Sequence, residues 1–213
     1  MINTLGTDVM YSFVIIFISS MIYFATRELY ELSQHKGIQY FRLAFLFFAI
    51  AYAFRFITQF LVISLGIPRP WNTNLSTIHL LFPTLFIYAS TVAIFYLWAS
   101  GNTHWLNKKH STVLLHAIAI VITLLAIYTQ NIVLLLIIQV ALIALLAFSS
   151  YKKRTKKKSL LELHLLYTLI AIFWALNLLD ILVPSFLFQT QIIIYLASIS
   201  LFLILFYKVI KKI

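Results

Sequence analysis

Seven long apolar stretches, separated by short polar clusters, constrain the fold of this chain more than any other feature. A helix that crosses a lipid bilayer needs roughly 20 predominantly apolar residues, and each stretch is near that length. Because lipid offers the backbone no hydrogen-bond partner, each stretch is predicted to be an α-helix. The predicted spans are Val9–Tyr30, Gln39–Leu65, Leu75–Ala99, Ser111–Tyr128, Ile132–Ser150, Ser159–Val183 and Phe188–Tyr207.

The overall composition also indicates a membrane protein. Of the 213 residues, 63% are hydrophobic and 10% are charged, whereas soluble domains carry about 25% charged residues. The first stretch has no basic segment before it and no small-residue cleavage site, so we expect a retained helix rather than a secretory signal. The spans use most of the chain, and we therefore predict a single all-α integral membrane domain over residues 1–213.

The basic residues are distributed unevenly between the two ends of the predicted helices. Fourteen of the 16 lysines and arginines flank the first, third and fifth connections or follow the last helix. Positively charged loops stay in the cytoplasm, so we predict an outside N-terminus and a cytoplasmic C-terminus, in the cell membrane of a prokaryote. This pattern explains the net charge of +11 better than nucleic-acid binding does. The basic run at residues 152–158 would also attract anionic lipid.

A few polar side chains lie deep within the predicted spans. Arg55 is near the middle of the second span with Gln59 one turn further on, and Asp180 follows Asn177 in the sixth. A charge at a helix centre costs roughly 2.5–3.5 kcal/mol on insertion scales, so such residues tend to be paired. At about 1.5 Å per residue, these side chains and His79 fall at similar depth. Three further polar residues are candidates for the same layer: Tyr52, Thr84 and Tyr195.

This layer predicts an Arg55–Asp180 ion pair within a polar pocket open to the outside. The candidate ligand-binding residues are Arg55, Gln59, His79, Asn177 and Asp180. The alternative is that the pair only fixes helix packing and register, since a buried ion pair can add little stability and still select one arrangement.

Other chemistries find little support in the sequence. His116 and His164 could together ligate a haem, although packing near the interface is the simpler interpretation. Glu162 lies beside the basic run, where lipid headgroups can solvate it. The chain has no cysteine, no HExxH, no GxSxG and no Gly-rich phosphate loop, and the last span lacks a lysine for a retinal Schiff base. We therefore expect no catalytic residue, metal or cofactor.

Two local patterns bear on how the helices are organised. The first helix is predicted to continue past the membrane through residues 26–32, with Gly37 as the left-handed residue that ends it. An ungapped offset of 122 residues aligns the first two helices with the fifth and sixth, pairing Ala49 with Ala171 and Tyr52 with Trp174. This alignment fits a 3+1+3 repeat, as in some transporters; chance similarity between apolar segments is the alternative.

One segment carries a resemblance to known proteins. The stretch Thr26–Phe56, TRELYELSQHKGIQYFRLAFLFFAIAYAFRF, resembles the first two helices of small uncharacterised archaeal membrane proteins. It is distantly similar to the seven-helix input regions of prokaryotic sensor kinases. The resemblance implies a seven-helix fold and a sensing role. With no output domain after its last helix, the chain would pass a signal to a separate partner.

The sequence therefore favours a receptor-like or sensory membrane protein that binds a small ligand, such as an anion, in the outer polar pocket. Besides the lipid bilayer, a cytoplasmic or membrane protein would be its partner, and nucleic acid would not. A small-solute or ion transporter is one alternative, although Pro83 is the only proline well inside a span and transport sites favour broken helices. An accessory subunit of a larger membrane complex is the other.

Overall fold

The structure, a computed structural model, consists of α-helices throughout the part of the chain that it describes. That part comprises residues 2–65, 77–102, 111–129, 132–153, 158–182 and 188–211. Side chains are described within 6–64, 81–102, 111–129, 137–148, 165–180 and 189–211. The helices are α1 (Ile2–Ser33), α2 (Lys36–Leu65), α3 (Thr77–Gly101), α4 (Ser111–Thr129), α5 (Ile132–Lys153), α6 (Lys158–Leu182) and α7 (Phe188–Ile210).

These helices coincide with the seven predicted spans, and most ends agree within three residues. The exception is α1, which begins at Ile2 instead of Val9, so that Asp8 lies inside the helix and not before it. Within the described residues, five helices are long and apolar enough to cross a membrane. The described parts of α5 and α6 contain the shorter apolar segments Ile137–Phe148 and Leu165–Asp180.

The helices follow one another around a closed ring. Each packs against the next in sequence, and α1 completes the ring by packing against α7. Side-chain contacts also join α2 to α6 across the bundle, where the two helices run parallel. Three of these contacts join residues 125 apart in sequence, and we call these three the α2–α6 seam: Phe48 with Phe173, Tyr52 with Asn177 and Arg55 with Asp180.

The bundle buries several polar side chains among its apolar core residues and exposes large apolar side chains on its outer surface. On α1, Ser12 and Ser19 are fully buried. The opposite face of the same helix exposes Phe13, Phe17 and Phe24, each by more than half of its surface. A soluble helix shows the reverse pattern. Exposed apolar side chains around a bundle that buries its polar groups are what a lipid environment favours.

The third helix is the most enclosed. All residues from 89 to 97 are buried, on every face of α3. The small residues Ala89, Ser90 and Ala93 let neighbouring helices approach its backbone closely. Its contacts extend to α2, α4 and α5, so α3 packs against three other helices on one side of the ring.

The corner between α1 and α2 differs from the prediction, which placed a left-handed residue at Gly37. The left-handed residue is Gln34, with φ of 50°, and its N–H donates to the Tyr30 carbonyl at 2.8 Å. Gly37 lies in the first turn of α2, where its N–H donates to His35 Nδ1 at 3.1 Å. His35 therefore caps α2, and the glycine serves a different need: a Cβ at Gly37 would lie 2.8 Å from the Ser100 carbonyl oxygen.

Candidate functional site

The ion pair predicted from the sequence is present at the end of the α2–α6 seam. Arg55 Nη2 donates to Asp180 Oδ2 at 2.7 Å. The side chains of Arg55 and Asp180 are only 16% and 7% exposed. Arg55 and Asp180 have the same sequence separation as the other two contacts of the seam, so the two charges meet in the same register as Phe48 with Phe173 and Tyr52 with Asn177.

Gln59, one turn beyond Arg55, links this pair to α1. When its amide nitrogen faces α1, that nitrogen donates to the Asp8 carbonyl at 3.1 Å and to Ser12 Oγ at 3.0 Å. The amide oxygen then accepts from Arg55 Nε at 3.2 Å. Gln59 is thus a positioning group for the guanidinium, which it holds at Nε while Asp180 holds Nη2.

Asn177 lies one helical turn before Asp180 and accepts hydrogen bonds from two tyrosines. Its Oδ1 accepts from Tyr52 at 2.5 Å and from Tyr11 at 3.0 Å. Its Nδ2 donates to the Phe173 carbonyl of its own helix at 2.9 Å. The Asn177 side chain therefore makes three hydrogen bonds, and its role in this structure is to fix two tyrosine hydroxyls beneath the ion pair.

Helices α1 and α7 complete the site. Asp8 and Tyr11 on α1 were not among the candidates predicted from the sequence, whereas Tyr195 on α7 was a candidate for the polar layer. Tyr11 stacks on Tyr195, with ring centroids 4.5 Å apart and planes inclined by 13°. The Tyr195 hydroxyl donates to Asp8 Oδ1. Asp8 precedes the predicted first span, which starts at Val9, but it is buried within α1. The spacing of Asp8, Tyr11, Ser12 and Ile15 on one helical face was the signal that could have found it.

We refer to these side chains together as the polar cluster. Its members are Asp8, Tyr11, Tyr52, Arg55, Gln59, Asn177, Asp180 and Tyr195.

Both poles of the ion pair retain hydrogen-bonding capacity. Asp180 Oδ1 is buried and has no hydrogen-bond partner among the described residues. A guanidinium has five N–H donors, and within the described part of the chain Arg55 uses Nη2 toward Asp180 and Nε toward Gln59. An unmatched buried acceptor beside unmatched donors is unfavourable unless another molecule completes them.

A layer of aromatic rings closes the bundle next to the polar cluster. Its rings lie 4.1 to 6.4 Å apart between centroids and are almost completely buried. We call it the aromatic layer, and it consists of Phe45, Phe48, Phe173, Trp174 and Phe202. It lies on the Asn177 side of the cluster, away from Asp180, and presents no polar side chain of its own except the Trp174 indole, which donates to Gln139.

The structure places the remaining sequence candidates as follows. His79 lies in α3, but its side chain is outside the described residues, as are those of Glu162 and His164. Thr84 is half-buried on α3. His116 lies apart from the polar cluster. Its Nδ1 is 2.8 Å from the Tyr88 hydroxyl and its Nε2 is 2.6 Å from the Tyr96 hydroxyl, so both ring nitrogens already have partners.

Comparisons with other proteins agree with part of the predicted resemblance. No family model matches the chain, and no solved structure matches it. The chain is similar to an uncharacterized protein of Archaeoglobus fulgidus, with 29% identity over 216 residues that cover 98% of this chain and 93% of the relative. The resemblance to archaeal proteins is thereby confirmed over nearly the whole chain. The resemblance to sensor kinases gains no support from these comparisons.

Proposed function

We propose that the protein is a multi-pass membrane protein of a prokaryotic cell membrane, with its N-terminus outside and its C-terminus in the cytoplasm. The outward apolar faces of the helices support insertion in lipid. The alternation of basic residues between connections supports the orientation. In this orientation, the polar cluster belongs to the outer half of the bundle and the corner between α1 and α2 to the cytoplasmic side.

Within the membrane, we propose a receptor-like function in which the polar cluster binds a small ligand from the outside. The observation that carries this proposal is a buried ion pair whose two members both have unused hydrogen-bonding capacity. A pair that served packing alone would be expected to satisfy its own atoms, because an unsatisfied buried acceptor is unfavourable. Charged residues inside membranes commonly mark functional sites.

The aromatic layer favours a receptor over a transporter. Its almost completely buried rings fill the bundle on the side of the cluster that we propose faces the cytoplasm, which supports access to the polar groups from the outside only. A signal would then leave the cluster through helix movement, toward a partner at the cytoplasmic end of α1, where Arg27 and Glu31 form an exposed ion pair at 2.6 Å.

Transport remains the second candidate because of the α2–α6 seam. If α1–α3 and α5–α7 are repeats, α2 and α6 are equivalent helices, and the charged pair lies between them. Sites between equivalent helices of two repeats are typical of transporters.

The proposed function is tested by a thermal-shift screen of the purified protein in mild detergent, against small anions, amines and metabolites. Wild type is compared with Arg55→Leu/Asp180→Leu. The matched control is Gln139→Leu, which also removes a buried polar side chain, one that accepts from Trp174 outside the cluster. A receptor gives a ligand that stabilises the wild type and the control but not the double variant.

Two further results separate the alternatives. Uptake of that ligand into proteoliposomes, lost in the double variant, assigns the protein to transport. If no ligand shifts the wild type and the double variant is at least as stable, the ion pair is a packing device. An accessory role in a membrane complex then replaces the receptor function.

A further inference from the structure

We propose that the ligand of the polar cluster is a small zwitterion that carries a primary ammonium and a carboxylate close together, as an α-amino acid does. This inference rests on the proposed receptor function and specifies the chemical class of its ligand. It comes from the hydrogen-bond partners that Asp180, the negative pole of the ion pair, and Arg55, the positive pole, still lack.

The negative pole calls for a hydrogen-bond donor. Asp180 Oδ2 is engaged by Arg55, while the buried Oδ1 has no partner among the described residues. An ionised carboxylate can accept hydrogen bonds but cannot donate them, and its negative charge would repel an anion placed at Oδ1. An ammonium group brings up to three N–H donors and a positive charge, and it satisfies Oδ1 directly.

The positive pole calls for an acceptor. Arg55 is held at Nη2 by Asp180 and at Nε by Gln59, and the N–H groups of Nη1 have no acceptor among the described residues. Guanidinium groups favour carboxylates because their planar fork of donors matches two carboxylate oxygens. A ligand carboxylate can therefore bind Arg55 without displacing Asp180.

The aromatic neighbours help to fix the positive pole. Arg55 Cζ lies 5.4 Å from the centroid of Tyr11 and 5.9 Å from that of Tyr52. Aromatic faces within about 6 Å attract cations electrostatically. The two rings therefore hold the guanidinium where its remaining N–H groups can meet a ligand carboxylate.

A ligand with one charge completes one pole only. An anion would engage Arg55 but leave Asp180 Oδ1 unmatched and face its negative charge. A simple amine would engage Asp180 but face the positive charge of Arg55. A zwitterion completes both poles and adds no net charge to a low-dielectric interior, where an uncompensated charge is costly.

The test compares amino acids with analogues that lack one charge, on wild-type protein. Glycine, alanine, leucine and phenylalanine are titrated in thermal-shift and calorimetric assays beside their N-acetyl derivatives, which lack the ammonium, and their amides, which lack the carboxylate. N,N,N-trimethylglycine keeps both charges but has no N–H donor. We expect at least one amino acid to bind, and each analogue of it to bind roughly tenfold more weakly or worse, since a charged hydrogen bond is lost in each case.

Variants then assign each charge to its residue. In Asp180→Asn, the N-acetyl derivative should bind about as well as the amino acid, because the charge that selects the ammonium is gone. In Arg55→Gln, the amide should bind about as well as the amino acid, because the charge that selects the carboxylate is gone. Because the analogue series uses wild type alone, it decides the question even if these variants fail to fold.

The contrary outcomes distinguish this inference from the proposed function. If N-acetyl derivatives or simple carboxylates bind as well as amino acids, the site is an anion site; if simple amines do, it is a cation site. Either result overturns the zwitterion while the receptor function stands. If no amino acid binds but another compound in the broad screen does, the zwitterion again fails alone. If nothing binds in either experiment, both fail.

Discussion

Arg55 shows how one residue can be tolerated deep in an apolar bundle. Its charge is met by Asp180 across the α2–α6 seam, by Gln59 on its own helix and by the faces of two tyrosines. These groups come from separate positions in the sequence; removing Asp180 would leave the guanidinium charge unpaired, and removing Gln59 or a tyrosine would leave it less well held. The stability of the site therefore depends on the set and not on any single contact.

The first prediction concerns the two charges. Arg55→Leu should lower the free energy of unfolding by about 3–5 kcal/mol, because it leaves Asp180 buried and unpaired. Arg55→Leu/Asp180→Leu should be markedly more stable than this single variant, since no uncompensated charge remains. Unfolding titrations in detergent measure both. A double variant no more stable than the single one would contradict the charge-balance argument.

The second prediction concerns the hydroxyls around Asn177. Tyr52→Phe should destabilise by about 1–2 kcal/mol and Tyr11→Phe by less, because each leaves one donor on Asn177 Oδ1. The double variant should exceed the sum of the two, since the amide oxygen then loses both donors. Adding Asn177→Leu to the double variant should recover part of the loss. Simple additivity in this double-mutant cycle would show that the two hydroxyls act independently.

At the scale of the helix, the α1–α2 corner combines one unusual backbone conformation with one unusually close approach between helices. Gln34 adopts a left-handed conformation that glycine adopts more easily, and Gly37 stands where α2 approaches the end of α3. The sequence suggested that Gly37 ends α1, because glycine is the usual left-handed residue. That interpretation was wrong because the glycine is needed for a close approach between helices, which depends on the tertiary fold.

The third prediction tests that approach with two alanine substitutions. Gly37→Ala should destabilise the protein, because the new Cβ would lie 2.8 Å from the Ser100 carbonyl oxygen and 2.9 Å from the His35 ring. Gly6→Ala is the matched control, since nothing lies within 4 Å of a Cβ there; it should be neutral or stabilising by up to about 1 kcal/mol. Equal effects of the two substitutions on the unfolding midpoint would contradict the close-packing role of Gly37.

The fourth prediction concerns Gln34. Gln34→Gly should raise the free energy of unfolding by up to about 1 kcal/mol, because the left-handed conformation costs an ordinary residue roughly that much. The control is Gln39→Gly, inside α2, which should lower stability by a similar amount. If both substitutions destabilise equally in the same unfolding assay, the left-handed strain at Gln34 is negligible.

At the scale of the whole molecule, the sequence predicted the number and boundaries of the helices well, because long apolar stretches and polar connections are local properties. It also predicted the Arg55–Asp180 pair, since two opposite charges at equal depth in apolar surroundings have few other partners. It did not predict the place of Asp8 and Tyr11 in the cluster. Their spacing on one face of α1 could have marked them as buried, but their contacts with Tyr195 depend on α1 packing against α7, which no local pattern encodes.

The fifth prediction concerns orientation and uses the absence of cysteine from the chain. Tyr128→Cys, near the end of α4, should react with a membrane-impermeant maleimide on intact cells, whereas Leu32→Cys, near the end of α1, should react only after lysis. Both positions are highly exposed, at 90% and 87%, so accessibility differs only through the membrane. The opposite labelling pattern would reverse the proposed topology.

The α2–α6 seam has a mechanical consequence. Its three contacts share one sequence separation, so a slip of one residue, about 1.5 Å along the helix axis, would misalign all of them together. The charged end and the aromatic end of the seam therefore cannot move independently. A force applied at Arg55 would therefore reach the rings two turns away as a displacement of one helix along the other.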